Sequence, residues 1–168
     1  MNDLIAEAKA IAVLETCRRK GLLLATAESC TGGLIVASLT DIGGSSDVVD
    51  RGFVTYSNEA KHEMLGVPME LIAAHGAVSE EVAMAMAAGA LAHSRAGIAV
   101  AVTGIAGPGG GSTAKPVGLV WFGLALQGKR PVAMRRVFLD HGRASIRRAA
   151  TNTALDWILE ALSADQVR

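Results

Sequence analysis

The stretch Leu22-Leu23-Leu24-Ala25-Thr26-Ala27-Glu28-Ser29-Cys30-Thr31-Gly32-Gly33-Leu34-Ile35-Val36 decides how the chain is read. Its apolar start is too short for a helix, its middle is polar and glycine-rich, and Leu34, Ile35, Val36 and Leu39 then resume a helical pattern. The pattern predicts a strand at residues 22–25, a turn, and a helix over 32–40. Ser29, Cys30 and Thr31 then fall at the helix N-terminus, where backbone amides lack intrahelical partners and the helix dipole is positive. Such a position stabilises a substrate anion or a developing oxyanion, and a serine there can attack. It also suits Ser29 or Thr31 as a plain N-cap, so the stretch by itself leaves both roles open.

Around that stretch, 168 residues rich in Ala, Val, Leu and Gly fit one domain, residues 1–168, with a core of useful size. Sixteen basic residues balance sixteen acidic ones, so no net field gathers nucleic acid or an acidic membrane. Three Phe, two Trp and one Tyr leave few base-stacking platforms. The two cysteines, Cys17 and Cys30, make neither a disulfide framework nor a CxxC metal spacing, which points to the cytoplasm. The acidic start Met1-Asn2-Asp3-Leu4 and the lack of a long unbroken apolar run indicate neither a signal peptide nor a transmembrane helix.

In chain order, residues 3–19 place Leu4, Ala8, Ile11 and Leu14 on one face of a packing helix. Phe53-Val54-Thr55-Tyr56-Ser57 reads as a second strand, and residues 58–65 as a helix with Asn58 as its N-cap, broken by Gly66-Val67-Pro68. Ser79, followed by Glu80 and Glu81, opens an alanine-rich helix. Residues 97–103 form a continuous apolar run, the pattern of a central strand. A glycine loop over 104–112 leads to a strand at 117–126, and Gly128 turns the chain into another at 132–139, whose Arg135-Arg136 suits an edge. The last helix, 143–162, carries a core stripe from Ile146 to Leu162, yet Arg143, Arg147 and Arg148 crowd the end where the dipole disfavours cations. A bound anion, solvation or pairing with Asp140 are the explanations open to the sequence.

Right-handed crossovers make the first three strands parallel, and two reversals make the fourth antiparallel and the fifth parallel to the third. Ser29, Tyr56, Thr103 and the segment 140–143 then share the carboxyl edge of the sheet, where open α/β sheets bind ligands. Lys61 follows the second strand closely and could serve as a base if desolvation lowered its pKa; otherwise it is a solvated helix lysine. Tyr56 either orients a proton or is an aromatic half in the core. The loop 104–112 allows close backbone approach to a phosphate or carboxylate but is neither a Walker A nor a Rossmann fingerprint. His62, His75, His93 and His141 have no short metal-ligand spacing, so no metal site is expected; His75 and His141 are minor candidates at the active edge.

Ala-Glu-Ser-Cys-Thr-Gly-Gly at 27–33, Arg-Gly-Phe-Val-Thr-Tyr-Ser-Asn-Glu-Ala-Lys at 51–61, His-Gly-Ala-Val-Ser at 75–79, Thr-Gly-Ile-Ala-Gly-Pro at 103–108 and Lys-Pro-Val-Gly at 115–118 together resemble the CinA C-terminal domain family. The resemblance runs from about residue 5 to 163 and includes nothing like the molybdopterin-binding-like N-terminal domain of full-length CinA proteins, so a stand-alone form is expected. It implies a three-layer α/β/α sandwich with a mixed five-stranded sheet and one antiparallel strand. It implies hydrolysis of nicotinamide mononucleotide to nicotinate mononucleotide and ammonia, without a metal or organic cofactor, by a homo-oligomer. The matching serine is Ser29 and the matching lysine Lys61, with Tyr56, Thr103 and Arg143 at the other motif positions.

On this resemblance Lys61 or Tyr56 assists Ser29, and the helix amides after Ser29, in the segment Cys30, Thr31, Gly32 and Gly33, hold the oxyanion. The loop glycines Gly104, Gly107 and Gly109 and the side chain of Arg143 hold the ribose phosphate, with Arg147 or Arg148 in reserve. Cys30 is the competing nucleophile. The other class of function is a non-catalytic nucleotide-sensing or interaction domain linked to competence or DNA damage, without direct nucleic-acid contact.

Overall fold

The computed structural model describes residues 2–139 and 141–164. Its elements are α1 (Asn2–Lys20), β1 (Leu24–Glu28), α2 (Leu34–Thr40), β2 (Val49–Val54), α3 (Asn58–Leu65), α4 (Met69–His75), α5 (Glu80–Ala92), β3 (Ile98–Gly104), β4 (Leu119–Leu126), β5 (Val132–Val137) and α6 (Arg143–Ala164). The five strands lie in the order β2-β1-β3-β4-β5. β1 is parallel to both β2 and β3, and β4 is antiparallel to both its neighbours, so it alone opposes the rest, as the crossover argument requires.

Strand alternation sorts the side chains by size. Leu24, Ile98, Val100, Val102, Val120, Phe122 and Leu124 face α1, α2 and α6, whereas Ala25, Ala27, Ala99, Ala101 and Ala125 face α3, α4 and α5. The result is a three-layer α/β/α sandwich with both sheet faces covered. Each large side chain on the first face contributes about 1.5–3 kcal/mol by leaving water. On the second face the gain comes from close approach: a Cβ at Gly123 would lie 2.0 Å from the Ala83 carbonyl oxygen of α5.

Several local expectations shift. β1 continues beyond Ala25 to Glu28, with every residue buried, so the apparent polar break is strand. α2 begins only at Leu34, after a turn over residues 29–33. β2 starts and ends earlier than expected, leaving Thr55 and Tyr56 in the connection, and Ser57, not Asn58, caps α3 by accepting from the Ala60 amide. Helix α4 follows Pro68, where the sequence pattern shows only a break. In α1 the buried face is Ala10, Val13, Leu14 and Cys17, while Leu4 and Ile11 are exposed; the apolar residues there outnumber the sites the sheet and α6 can cover. Asp140 lies outside the described residues. No described helix is long and apolar enough to cross a membrane.

The register positions the site. Glu28 pairs with Val54 on one side and Val102 on the other, so β1, β2 and β3 end side by side. Ser29 and Thr55, which follow β1 and β2, and Thr103, near the end of β3, therefore lie at the same edge of the sheet.

Candidate active site

Ser29 leaves β1 with its amide donating to the Val102 carbonyl at 2.9 Å, which ties the turn to the central strand. Gly32 and Gly33 have φ of 59° and 98°, a region that side-chain-bearing residues rarely adopt. Gly33 occupies the N-cap of α2 without a side-chain cap. The cap comes from upstream: the carboxylate of Glu28, fully buried, accepts from the amides of Gly33 at 3.0 Å, Ile35 at 3.1 Å and Val36 at 2.9 Å. This corrects the expected oxyanion donors, because the first helix amides are already occupied. The Gly32 amide is occupied as well, by the Ser29 carbonyl at 3.1 Å. Among the described residues, the amides of Cys30 and Thr31 donate to no other residue.

Lys61 comes from α3 on the opposite layer and is only 1% exposed, so it is not a solvated helix lysine. Its Nζ donates to the Thr55 carbonyl at 2.9 Å and the Tyr56 carbonyl at 3.5 Å, and stands 3.1 Å from Ser29 Oγ. Among the described residues it has no ion-pair partner. Burial pulls its pKa below the usual 10.5, with a smaller opposing effect from the neighbouring Cys30 sulfur. A neutral amine has two N–H donors and one lone pair. With the donors on the two carbonyls, the lone pair is left for the Ser29 hydroxyl.

The other expected site residues fall into three groups. Tyr56 is 60% exposed, and its hydroxyl accepts from Arg143 Nη2 at 2.7 Å; Arg143 Nη1 donates to the Gly107 carbonyl at 2.9 Å. The phenol thus meets Arg143, while Lys61 meets Ser29. The Thr103 hydroxyl is buried and donates to the Ala77 carbonyl at 2.8 Å, and the Thr31 hydroxyl is buried with no partner among the described residues. Gly104 ends β3, Gly107 is buried at φ 73°, and Gly109 is exposed, with nothing within 4 Å of where a Cβ would sit.

Cys30 packs into the core at 5% exposure, and burial pushes its thiol up to about 11 against a smaller lowering by the hydrogen bond from its own backbone amide. It is therefore a protonated thiol at neutral pH, a poor competitor for Ser29. His75 Nδ1 lies 3.2 Å from a Glu81 carboxylate oxygen.

The sequence pattern misses what two residues do here. Glu28 falls in an apparent polar break; the clue to its role is a helix start with no capping side chain next to it. Arg147, a reserve candidate for a phosphate, instead donates from Nε to the Cys30 carbonyl at 3.0 Å and from Nη2 to the Thr31 carbonyl at 2.8 Å. These charge-assisted bonds resolve the odd cation at the N-terminus of α6, since each outweighs a dipole penalty of about 0.3–1 kcal/mol. Arg148 is exposed.

With a buried serine–lysine pair at the carboxyl edge of its sheet, the chain is a three-layer α/β protein with a mixed five-stranded sheet. Within that class the chain belongs to the CinA C-terminal domain family, whose sequence profile matches residues 6–162. It is 55% identical over 143 residues to a CinA-like protein of Mycolicibacterium gilvum, covering 85% of this chain but 34% of that protein. It is 51% identical over 141 residues to the nicotinamide-nucleotide amidohydrolase PncC of Escherichia coli, covering 84% of this chain and 85% of that one. The crystal structure of a competence/damage inducible protein, CihA, from Agrobacterium tumefaciens superposes with a TM-score of 0.91 at 52% identity, over 95% of this chain and 96% of that one.

Proposed function

We propose that this chain is a nicotinamide-nucleotide amidohydrolase that converts nicotinamide mononucleotide to nicotinate mononucleotide and ammonia. The observation that carries the reading is the contact of 3.1 Å between Lys61 Nζ and Ser29 Oγ, made by a buried amine whose pKa is lowered. The similarity to the E. coli amidohydrolase over most of both chains supports the substrate. A domain that only sensed nucleotides would have no use for a desolvated lysine on a serine, so the enzymatic reading is preferred to the sensing one.

Neutral Lys61 takes the Ser29 proton as Oγ attacks the carboxamide carbon, and the developing oxyanion is held by the Cys30 and Thr31 amides. The Lys61 ammonium then protonates the leaving nitrogen, and ammonia departs from an acyl-enzyme. Water, deprotonated by Lys61, attacks the acyl carbon, and the proton returns to Ser29 as nicotinate mononucleotide leaves. Arg143, which keeps further N–H donors beyond those on Tyr56 and Gly107, holds the ribose phosphate together with the loop over 104–112. No metal or organic cofactor takes part. The reading includes a single functional domain working in the cytoplasm as a homo-oligomer.

The test is ammonia release from nicotinamide mononucleotide by the purified protein. Wild type turns over, while Ser29→Ala and Lys61→Ala, folded by circular dichroism, lose about 10³-fold or more in kcat. Folded wild type that binds the nucleotide and releases nothing would sink the proposal.

A further inference from the structure

Arg147 approaches the turn over residues 29–33 from α6, one face of the sheet, while Lys61 approaches Ser29 from α3 on the other. Its two donated bonds end on consecutive backbone carbonyls, those of Cys30 and Thr31, at 3.0 and 2.8 Å. Gly32 makes room for this: a Cβ there would lie 3.3 Å from Arg147 Nη2. The peptide bonds of the turn are trans. In a trans peptide the C=O and the following N–H point in opposite directions. A guanidinium on the Cys30 carbonyl therefore turns the Thr31 amide away from α6, towards the layer that carries Lys61. That amide donates to no other residue among those described.

We infer that Arg147 is a positioning residue for the reaction proposed above: by gripping the Cys30 carbonyl, it aims and polarises the Thr31 amide as an oxyanion donor. The inference rests on that reaction and adds a residue to it. Hydrogen bonds along one peptide reinforce each other, so a cation on the oxygen strengthens the amide as a donor. The second bond, to the Thr31 carbonyl, holds the next peptide, whose Gly32 amide closes back on Ser29. Glu28 clamps the other pole of the turn through the amides of Gly33, Ile35 and Val36. The turn is thus fixed by an anion on its amides and a cation on its carbonyls, leaving the Thr31 amide with no acceptor among the described residues.

The role separates from phosphate binding in the kinetics. Arg147→Ala and Arg147→Lys are assayed with nicotinamide mononucleotide, alongside binding of its analogue with an aldehyde in place of the carboxamide. Ser29 adds to that aldehyde: the Oγ–carbon bond forms, the carbonyl π pair moves to oxygen, and the Ser29 proton passes to Lys61. The expected result is kcat lowered about 100-fold with KM changed less than about threefold, and aldehyde affinity weakened in step with kcat. Added guanidinium ion should restore part of the kcat of Arg147→Ala. If that variant fails to fold, Arg147→Lys, which keeps the charge but cannot span both carbonyls, gives the same reading. A KM raised about tenfold with kcat intact would make Arg147 a substrate ligand and overturn the inference, as would kcat unchanged in a folded variant. In either case active wild type leaves the amidohydrolase reading standing, whereas inactive folded wild type overturns both.

Discussion

Two glycine-rich connections leave the same edge of the sheet, the turn after β1 and the loop after β3, and they are built in opposite ways. In the turn, Ser29 is tied to Val102, Glu28 occupies three amides and Arg147 occupies two carbonyls. In the loop, residues 108–111 are exposed, and none of the loop's hydrogen bonds among the described residues comes from them. Composition does not distinguish the two. The difference lies in which long-range partners reach them, and it matches the division proposed above between a fixed turn for the chemistry and a loop for the ligand.

The comparison breaks first, and with the largest effect, at Lys61. In wild type kcat/KM should rise with pH as the amine deprotonates, with a midpoint below 10.5, and Lys61→Met should abolish both the rise and about 10³-fold of the rate. The stability sign follows separately. A lysine with a lowered folded pKa binds fewer protons folded than unfolded between that pKa and 10.5, so stability increases with pH across that window. The cost is fully present below the folded pKa and is gone near 10.5. Urea melts of wild type and Lys61→Met at several pH values isolate this difference; parallel curves would show that the amine is not desolvated.

Next comes Glu28→Ala, which strips the acceptor from three amides at once. A loss of about 3 kcal/mol or more in denaturant unfolding is expected, together with a fall in kcat as the turn loosens. A drop in stability with kcat preserved would mean that the clamp serves α2 alone. The smallest effect sharpens the contrast from the loop side: Gly109→Ala meets open space, so stability should stay within about 0.5 kcal/mol, and any kinetic change should appear in KM. A loss larger than this would show the loop to be as constrained as the turn.

The continuous apolar run over 97–103 and the crossover rule are enough to place β3 centrally and β4 in opposition, and so to bring Ser29, Tyr56 and Thr103 to one edge. Lys61 is legible as a candidate because its helix follows β2 within a few residues. Its burial is not, because no local pattern reports that Thr55, Tyr56 and the opposing turn close over it. Thr26 and Glu28 read as a break because polarity argues against a buried strand. That reading fails where a carboxylate finds three amides across a turn, which is tertiary information. The α1 face is misassigned for a similar reason: periodicity cannot say which part of a broadly apolar helix the sheet leaves uncovered.

Arg147 reaches its two carbonyls across 117 and 116 residues, whereas Lys61 and Ser29 are separated by 32. During synthesis Ser29 and Lys61 leave the ribosome long before α6 does, and the meander β3-β4-β5 needs only local pairing. The carbonyl side of the serine turn stays ungripped until the final helix has been made and has docked. The order of the chain thereby acts as a timer, delaying full assembly of the site until the helix that covers the first face of the sheet is in place.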